Sequence, residues 1–167
     1  MKVTGYMLRE ALKRWQLKRD SAVALFESSL KKFDDETKDP PALVMRAFMD
    51  AERAIAQIQA AQATYNGLIK VTVQDTVMSL NAAVKMLGGA SRREKLWRDV
   101  ATPSRSAYGY NDGVRSKDQE VAKPTITQKD AAALAVEAGK YTSALRAAIA
   151  VANGNEVDLD ISAGLLE

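Results

Sequence analysis

The sequence predicts an all-α protein, an elongated antiparallel helical bundle with long, coiled-coil-like helices and a minor β-hairpin or tail. Apolar residues recur in alternating steps of three and four over most of the chain, as they do along one face of a helix. The first such stretch, residues 6–33, contains no Gly or Pro that would break a helix. The length of 167 residues and the apolar fraction of 47% suit a single helical domain over 1–167.

The first two helices are predicted to form a long hairpin over about 6–69. Helix 1 follows a heptad pattern, and its apolar positions are Leu8, Leu12, Trp15, Ala22, Phe26 and Phe33, with Arg19 and Ser29 as the polar members. An acidic turn closed by Pro40 and Pro41 follows, and Asp39 is the expected cap of helix 2. Helix 2 repeats the same steps at Val44, Phe48, Ala51, Ile55, Ile58, Ala61, Tyr65 and Leu68.

A shorter helical region is predicted over about 75–102. Val71-Thr72-Val73 is too short to predict a strand, so the third helix is expected to begin near Asp75 or Thr76. Gly88-Gly89 favours a break, with a bend as the alternative. Ser91 and Glu94 match a capping box, which would begin a new helix after the break.

The remaining chain divides into an irregular segment (103–126), a final helix (about 127–153) and a short extended tail. Asn111-Asp112-Gly113 is a turn signal that is compatible with a small hairpin or with a mobile loop. Thr127 is the expected N-cap of the final helix, with Asp130 in its first turn. After that helix, Val157, Leu159 and Ile161 alternate with acidic residues, and this tail could pair with Val121–Ile126.

The composition narrows the chemistry that this chain can perform. It contains no Cys and no His, which excludes thiolate and histidine catalysis and the commonest metal ligands. We therefore expect no catalytic residues, no cofactor and no metal site. No apolar run is long enough to span a bilayer, and the N-terminus lacks the apolar core of a signal peptide. The expected location is cytoplasmic, or within an assembled particle.

The charges are unevenly distributed along the chain. The total of 24 basic and 21 acidic residues gives a net charge of +3, which is too mild to predict a nucleic-acid or membrane partner. Residues 1–33 carry eight basic and three acidic groups (+5), whereas residues 34–60 carry three and six (−3). This difference in sign favours antiparallel contacts between the two segments.

In order along the chain, several short motifs resemble a family of small bacterial helical proteins described as septicolysin-like. The resemblance rests on Leu8-Arg9-Glu10-Ala11-Leu12, Asp39-Pro40, Leu80 with Ala83, Arg115-Ser116, and Pro124-Thr125-Ile126. It covers most of the chain, although the family pattern has a Trp where Val157 stands and lacks the Gly pair. The resemblance implies an elongated helical fold and self-association, and it carries over no catalytic residue.

Two groups of residues are candidates for binding. The helical hairpin is too thin to bury all of its apolar residues, so an interface is predicted at Trp15, Phe26, Phe48, Ile55 and Ile58. A weaker candidate is an anion site at Ser91, Arg92 and Arg93, where backbone donors and two cations would meet at a helix N-terminus.

These observations predict a non-enzymatic structural protein that self-assembles as a homo-oligomer, such as a shell, ring or virion component. The alternative is a binding module for nucleic acid or another anionic polymer. Its basic residues would lie on two helix faces, at Arg9, Lys13, Arg14, Lys18 and Arg19 and at Arg92, Arg93, Lys95 and Arg98.

Overall fold

A computed structural model of the chain describes residues 1–33, 36–102 and 125–167, and helix accounts for 72% of them. The elements in chain order are strand β1 (Lys2–Val3), helices α1 (Gly5–Ser29) and α2 (Pro41–Leu68), strands β2 (Lys70–Val73) and β3 (Thr76–Ser79), helices α3 (Leu80–Ala101) and α4 (Gln128–Ala152), strand β4 (Val157–Asp158), and a 3-10 turn at Ala163–Leu165. The strands form two small sheets, β1 with β4 and β2 with β3. The prediction of a mostly helical protein with a minor β element is confirmed.

The chain divides into two compact units. The first contains residues 1–70, 79–81 and 150–167, and the second contains residues 71–78 and 82–149. The first unit therefore holds α1, α2, the β1–β4 sheet and the C-terminal segment. The second holds the β2–β3 turn and most of α3 and α4. The prediction of one domain over 1–167 stays a prediction.

Helix α1 begins at a capping residue and ends earlier than the heptad pattern predicts. The Thr4 hydroxyl oxygen accepts a hydrogen bond from the Met7 backbone amide at 3.2 Å. This bond satisfies one of the first-turn amides that have no partner within the helix. At the other end, the Ser29 hydroxyl donates to the Phe26 carbonyl at 2.8 Å. The helix ends at Ser29, four residues before Phe33.

Helix α2 packs antiparallel to α1. It begins with Pro41, where the missing amide is no loss. Pro40 occupies the capping position without a side-chain bond, so the expected Asp39 cap is wrong. Arg19 of α1 lies 3.6 Å from the Glu52 carboxylate of α2, so this charged position of the heptad pattern pairs across the hairpin.

The core of the first unit lies at the end of the hairpin nearest the chain termini, which we call the tyrosine end. Leu8, Ile58 and Tyr65 are fully buried there. The Tyr65 hydroxyl lies 2.7 Å from the Ala152 carbonyl oxygen and 2.8 Å from that of Asn155, and both can accept its hydrogen bond. The core therefore joins α2 to residues about ninety positions later in the chain.

The extended tail pairs with the start of the chain. Strand β4 runs antiparallel to β1, with Lys2 opposite Asp158 and Val3 opposite Val157. The pairing of the tail with 121–126 that the sequence allows falls mostly outside the described residues, because 121–124 are not among them, and neither is the predicted Asn111-Asp112-Gly113 turn. Among the residues that the structure describes, the partner of β4 is β1.

The β2–β3 hairpin was missed by the sequence analysis, which expected a helix from Asp75 or Thr76. Its two-residue turn consists of Gln74 and Asp75, with φ of 46° and 63°. Positive φ at both positions is the geometry of the tightest hairpin turns, in which Asn and Gly are usual. The chain lacks that signature. The remaining sequence indication of a strand was that Val71 and Val73 alternate with polar residues, and the structure buries both valines.

Helix α3 is continuous through Gly88 and Gly89, so the predicted break is wrong. Each glycine costs about 1 kcal/mol relative to alanine in a helix, which does not by itself end one. Downstream, Glu94 pairs with Arg98, and Lys95 Nζ lies 2.6 Å from Asp99, so two i,i+4 pairs stabilise the helix.

Helix α4 begins as predicted. The Asp130 amide donates to the Thr127 hydroxyl oxygen at 3.1 Å, and that hydroxyl donates to the Asp130 carboxylate at 2.7 Å. The N-cap at Thr127 is confirmed. Ala131, Ala138 and Leu145, spaced by seven, are buried along one side of the helix.

Candidate functional site

An apolar groove runs between α1 and α2 in the half of the hairpin away from the tyrosine end. It has a volume of about 560 Å³ and is lined mainly by apolar atoms. We call it the groove, and its walls include Trp15, Lys18 and Leu25 from α1 and Leu43, Ala47 and Asp50 from α2.

Leucines around this groove are exposed to solvent. The exposed fractions are 68% for Leu17, 55% for Leu25 and 54% for Leu43, all of which line it. Small residues, Ala22 on α1 and Ala47 on α2, leave room between them. Single exposed apolar residues are common on protein surfaces, but a contiguous apolar patch is typical of an interaction site.

One end of the groove is set by the C-terminal segment. The Trp15 indole nitrogen donates to the Leu165 carbonyl oxygen at 3.0 Å, and the Arg14 guanidinium donates to that of Leu166. The indole therefore lies at the boundary between the part of the hairpin that the C-terminal segment contacts and the part that lines the groove. From Trp15 towards Leu25, the lining leucines are exposed.

The two walls of the groove carry opposite charges. On α1, the Lys18 ammonium lies 4.0 Å from the centre of the Trp15 ring, a cation–π contact, and it has no acidic partner among the described residues. The other wall carries Asp39 and Asp50, and Asp50 accepts a hydrogen bond from Arg53 at 3.1 Å. The α1 wall therefore carries one lysine, and the opposite wall carries two carboxylates, of which Asp50 is paired with Arg53.

The structure separates the predicted interface residues. Trp15 lines the groove and is half-buried. Phe26 and Phe48 are also half-buried but are not part of its lining. Ile55 and Ile58 are 5% and 0% exposed, so placing them at an interface is corrected: they belong to the core of the first unit.

The leucines that line the groove carried a weaker sequence signal than the predicted set. Leu25 lies next to the heptad position Phe26 and widens the apolar stripe. Leu17 lies off the heptad positions, and Leu43 follows the prolines that begin α2. The step of four between Leu17, Ser21 and Leu25 was the available signal for this face.

The predicted anion site is not at a helix N-terminus. Ser91, Arg92 and Arg93 lie inside the continuous α3, where backbone amides are used within the helix. Glu94 pairs with Arg98 and does not cap Ser91. The expected geometry of this site is therefore wrong, and its physical reason is the unbroken helix.

The basic helix faces proposed for nucleic acid contain acidic partners. Lys13 lies 2.8 Å from Glu10, Arg19 pairs with Asp20, and Lys95 pairs with Asp99. These pairs reduce the positive charge available to a phosphate backbone. Nucleic-acid binding stays a prediction. Within the described part of the chain, no helix is both long and apolar enough to cross a bilayer.

The described residues form a mostly helical protein with small antiparallel sheets. No family model matches the chain, and no curated protein matches it. Among solved structures, it is similar to a functionally unknown conserved protein from Corynebacterium diphtheriae, with a TM-score of 0.71 and 14% identity. The match covers 95% of this chain and 100% of the other, so the two proteins share a fold.

Proposed function

We propose that this chain is a structural protein that self-associates, and that its copies meet through the groove between α1 and α2. The observation that carries the proposal is the set of exposed leucines, Leu17, Leu25 and Leu43, around one apolar groove. Burying a leucine contributes about 1.5–3 kcal/mol, and a two-fold interface uses each residue twice. This site replaces the predicted one at Ile55 and Ile58.

A second copy suits the groove because its two walls carry opposite charges. Two arrangements of a dimer are possible when the grooves of two copies face each other. A two-fold axis parallel to the helices packs α1 of each copy against α2 of the other, whereas a two-fold axis perpendicular to the helices packs α1 against α1. Lys18 and Asp50 both lie within a turn of the Arg19–Glu52 pair. The first arrangement therefore brings Lys18 of one copy over Asp50 of the other, whereas the second brings like charges together.

The proposed dimer has the coiled-coil-like helical packing that the sequence predicts. The heptad pattern of α1 and α2 is typical of helices that pack in coiled-coil-like bundles, and the groove supplies the face on which a second hairpin would complete a four-helix arrangement. The resemblance to septicolysin-like proteins also implies self-association. The smallest closed assembly with this geometry is a dimer.

The test is the mass of the full chain in solution. At tens of micromolar, light scattering coupled to gel filtration should give twice the 18.2 kDa of one chain. Leu25→Asp and Leu43→Asp should each weaken association by about 100-fold or more, because a charge replaces a buried leucine twice per dimer.

The matched control is Leu96→Asp, because Leu96 is a leucine on α3 that is 67% exposed and does not line the groove. It should leave the mass unchanged. A wild-type mass of 18.2 kDa at about 100 µM contradicts the proposal. Equal loss of association in Leu96→Asp would show that the groove is not the interface.

A further inference from the structure

The second unit contains a small polar cavity that is independent of the groove. Its volume is about 220 Å³, and it is lined by Gln74, Arg93, Glu137, Ala138 and Tyr141. These residues come from the β2–β3 turn, from α3 and from α4. Three elements distant in the sequence thus bring a guanidinium, a carboxylate, a phenol and an amide to one cavity.

The two charged side chains of this cavity do not neutralise each other. Arg93 and Glu137 line the same space, yet neither forms an ion pair within the part of the chain that the structure describes. Elsewhere on α3, Lys95 does pair, with Asp99 at 2.6 Å. Arg93 and Glu137 are both exposed, and they therefore offer a cation and an anion to the same cavity without forming an ion pair with each other.

The size of the cavity limits what can occupy that room. Pockets for drug-sized ligands have volumes of about 300–1,000 Å³, so this one suits a smaller molecule. Ala138 is 3% exposed, and this small, buried side chain leaves space on the α4 side of the cavity. The Tyr141 hydroxyl and the Gln74 amide can donate and accept hydrogen bonds at its edge.

We propose that this cavity binds a small zwitterion of the α-amino-acid class. The ligand carboxylate binds the Arg93 guanidinium, whose fork of donors matches the two carboxylate oxygens. The ligand ammonium binds the Glu137 carboxylate. Such a ligand contacts both exposed side chains at once, whereas a simple anion or cation contacts only one of them.

The turn contributes a further polar group. Gln74 is held with φ of 46°, a conformation that glycine adopts more readily, and its side chain lines the cavity. Gln74→Gly therefore removes the amide while keeping the backbone geometry of the turn. This variant separates the contribution of the side chain to binding from its contribution to folding.

The experiment is isothermal titration calorimetry of the full chain with single L-amino acids at millimolar concentration. For the amino acid that binds best, the N-acetyl derivative lacks the ammonium and the methyl ester lacks the carboxylate. We expect each derivative to bind at least about tenfold more weakly, which is the effect of losing one charge-assisted hydrogen bond.

Variants locate the site. Arg93→Gln and Glu137→Gln should each weaken binding by about tenfold or more, and Gln74→Gly should weaken it less. Arg92→Gln is the matched control, since Arg92 is exposed like its neighbour Arg93 but does not line the cavity. The proposal is overturned if no amino acid binds below about 10 mM, if the derivatives bind as well as the parent, or if Arg92→Gln weakens binding as much as Arg93→Gln.

Discussion

The two ends of the α1–α2 hairpin share the same apolar spacing but differ in how far the large apolar residues around it are exposed. At the tyrosine end, Ile58 and Tyr65 are fully buried, and the Tyr65 hydroxyl lies within hydrogen-bond distance of the Ala152 and Asn155 carbonyl oxygens. Around the groove, Leu25 and Leu43 are more than half exposed. At both ends, members of the pattern are buried, as Ile58 and Val44 are, so the pattern indicates the inner side of each helix but not whether the apolar residues beside it are covered.

The difference arises from what covers each end. Strand β4 pairs with β1, and the residues after it follow the first half of α1. At Leu165 the carbonyl oxygen accepts a hydrogen bond from the Trp15 indole. Past Trp15, the described residues that line the groove leave its leucines open to solvent. Substitutions at the two ends should therefore act on different equilibria, folding at one and association at the other.

The largest expected effect is at Ile58. Ile58→Asp places a carboxylate in a fully buried position, and we expect it to reduce the free energy of unfolding by more than about 4 kcal/mol. Circular dichroism during urea denaturation measures this change. Leu25→Asp is the comparison, and the folding of its monomer should change by no more than about 0.5 kcal/mol. Similar losses in both variants would contradict the distinction between the two ends.

A smaller effect is expected from the Tyr65 hydroxyl. Tyr65→Phe leaves the Ala152 and Asn155 carbonyl oxygens without this donor and should cost about 1–3 kcal/mol of unfolding free energy. Tyr6→Phe is the control. The Tyr6 hydroxyl donates to the Ala150 carbonyl at 2.8 Å in an exposed position, where water can replace it, so its loss should cost less than about 0.5 kcal/mol.

The same pair of variants gives a pH dependence. Burial raises the pKa of the Tyr65 hydroxyl in the folded chain. Above about pH 10, the unfolded chain loses this proton while the folded chain keeps it, so the stability of the wild type falls as the pH rises. Tyr65→Phe should lack that part of the fall, and Tyr6→Phe should retain it. Equal pH slopes in the two variants, measured by urea denaturation between about pH 9 and 11, would rule out this role for Tyr65.

The smallest expected effect concerns the charges of the groove. Lys18→Glu and Asp50→Lys should each weaken self-association by about tenfold, because each brings like charges together in the proposed dimer. Mixing the two variants should restore association, since both contacts in the mixed dimer then join opposite charges. Sedimentation velocity measures this recovery. Mixed variants that associate no better than either one alone would contradict the proposed axis along the groove.

The candidate sites were only partly predictable from the sequence. Trp15 was identified because a large aromatic residue occupies a heptad position, and it does line the groove. Arg93 was singled out for a helix N-terminus that does not exist, and its neighbours in the cavity, Glu137 and Tyr141, come from α4. No local spacing could have indicated that these residues lie together, since the contact depends on segments about forty positions apart.

Interactions between residues a few positions apart were enough to predict three of the helices and the start of α4. The steps of three and four located α1, α2 and α4, and Thr127 with Asp130 marked the start of α4, because capping and amphipathic spacing involve residues a few positions apart. Tertiary structure alone decided that leucines beside the pattern, such as Leu25, stay exposed, because their burial depends on segments that the chain brings back from far away. It also decided that β4 pairs with β1, since strand pairing needs a partner that the strand's own sequence does not specify.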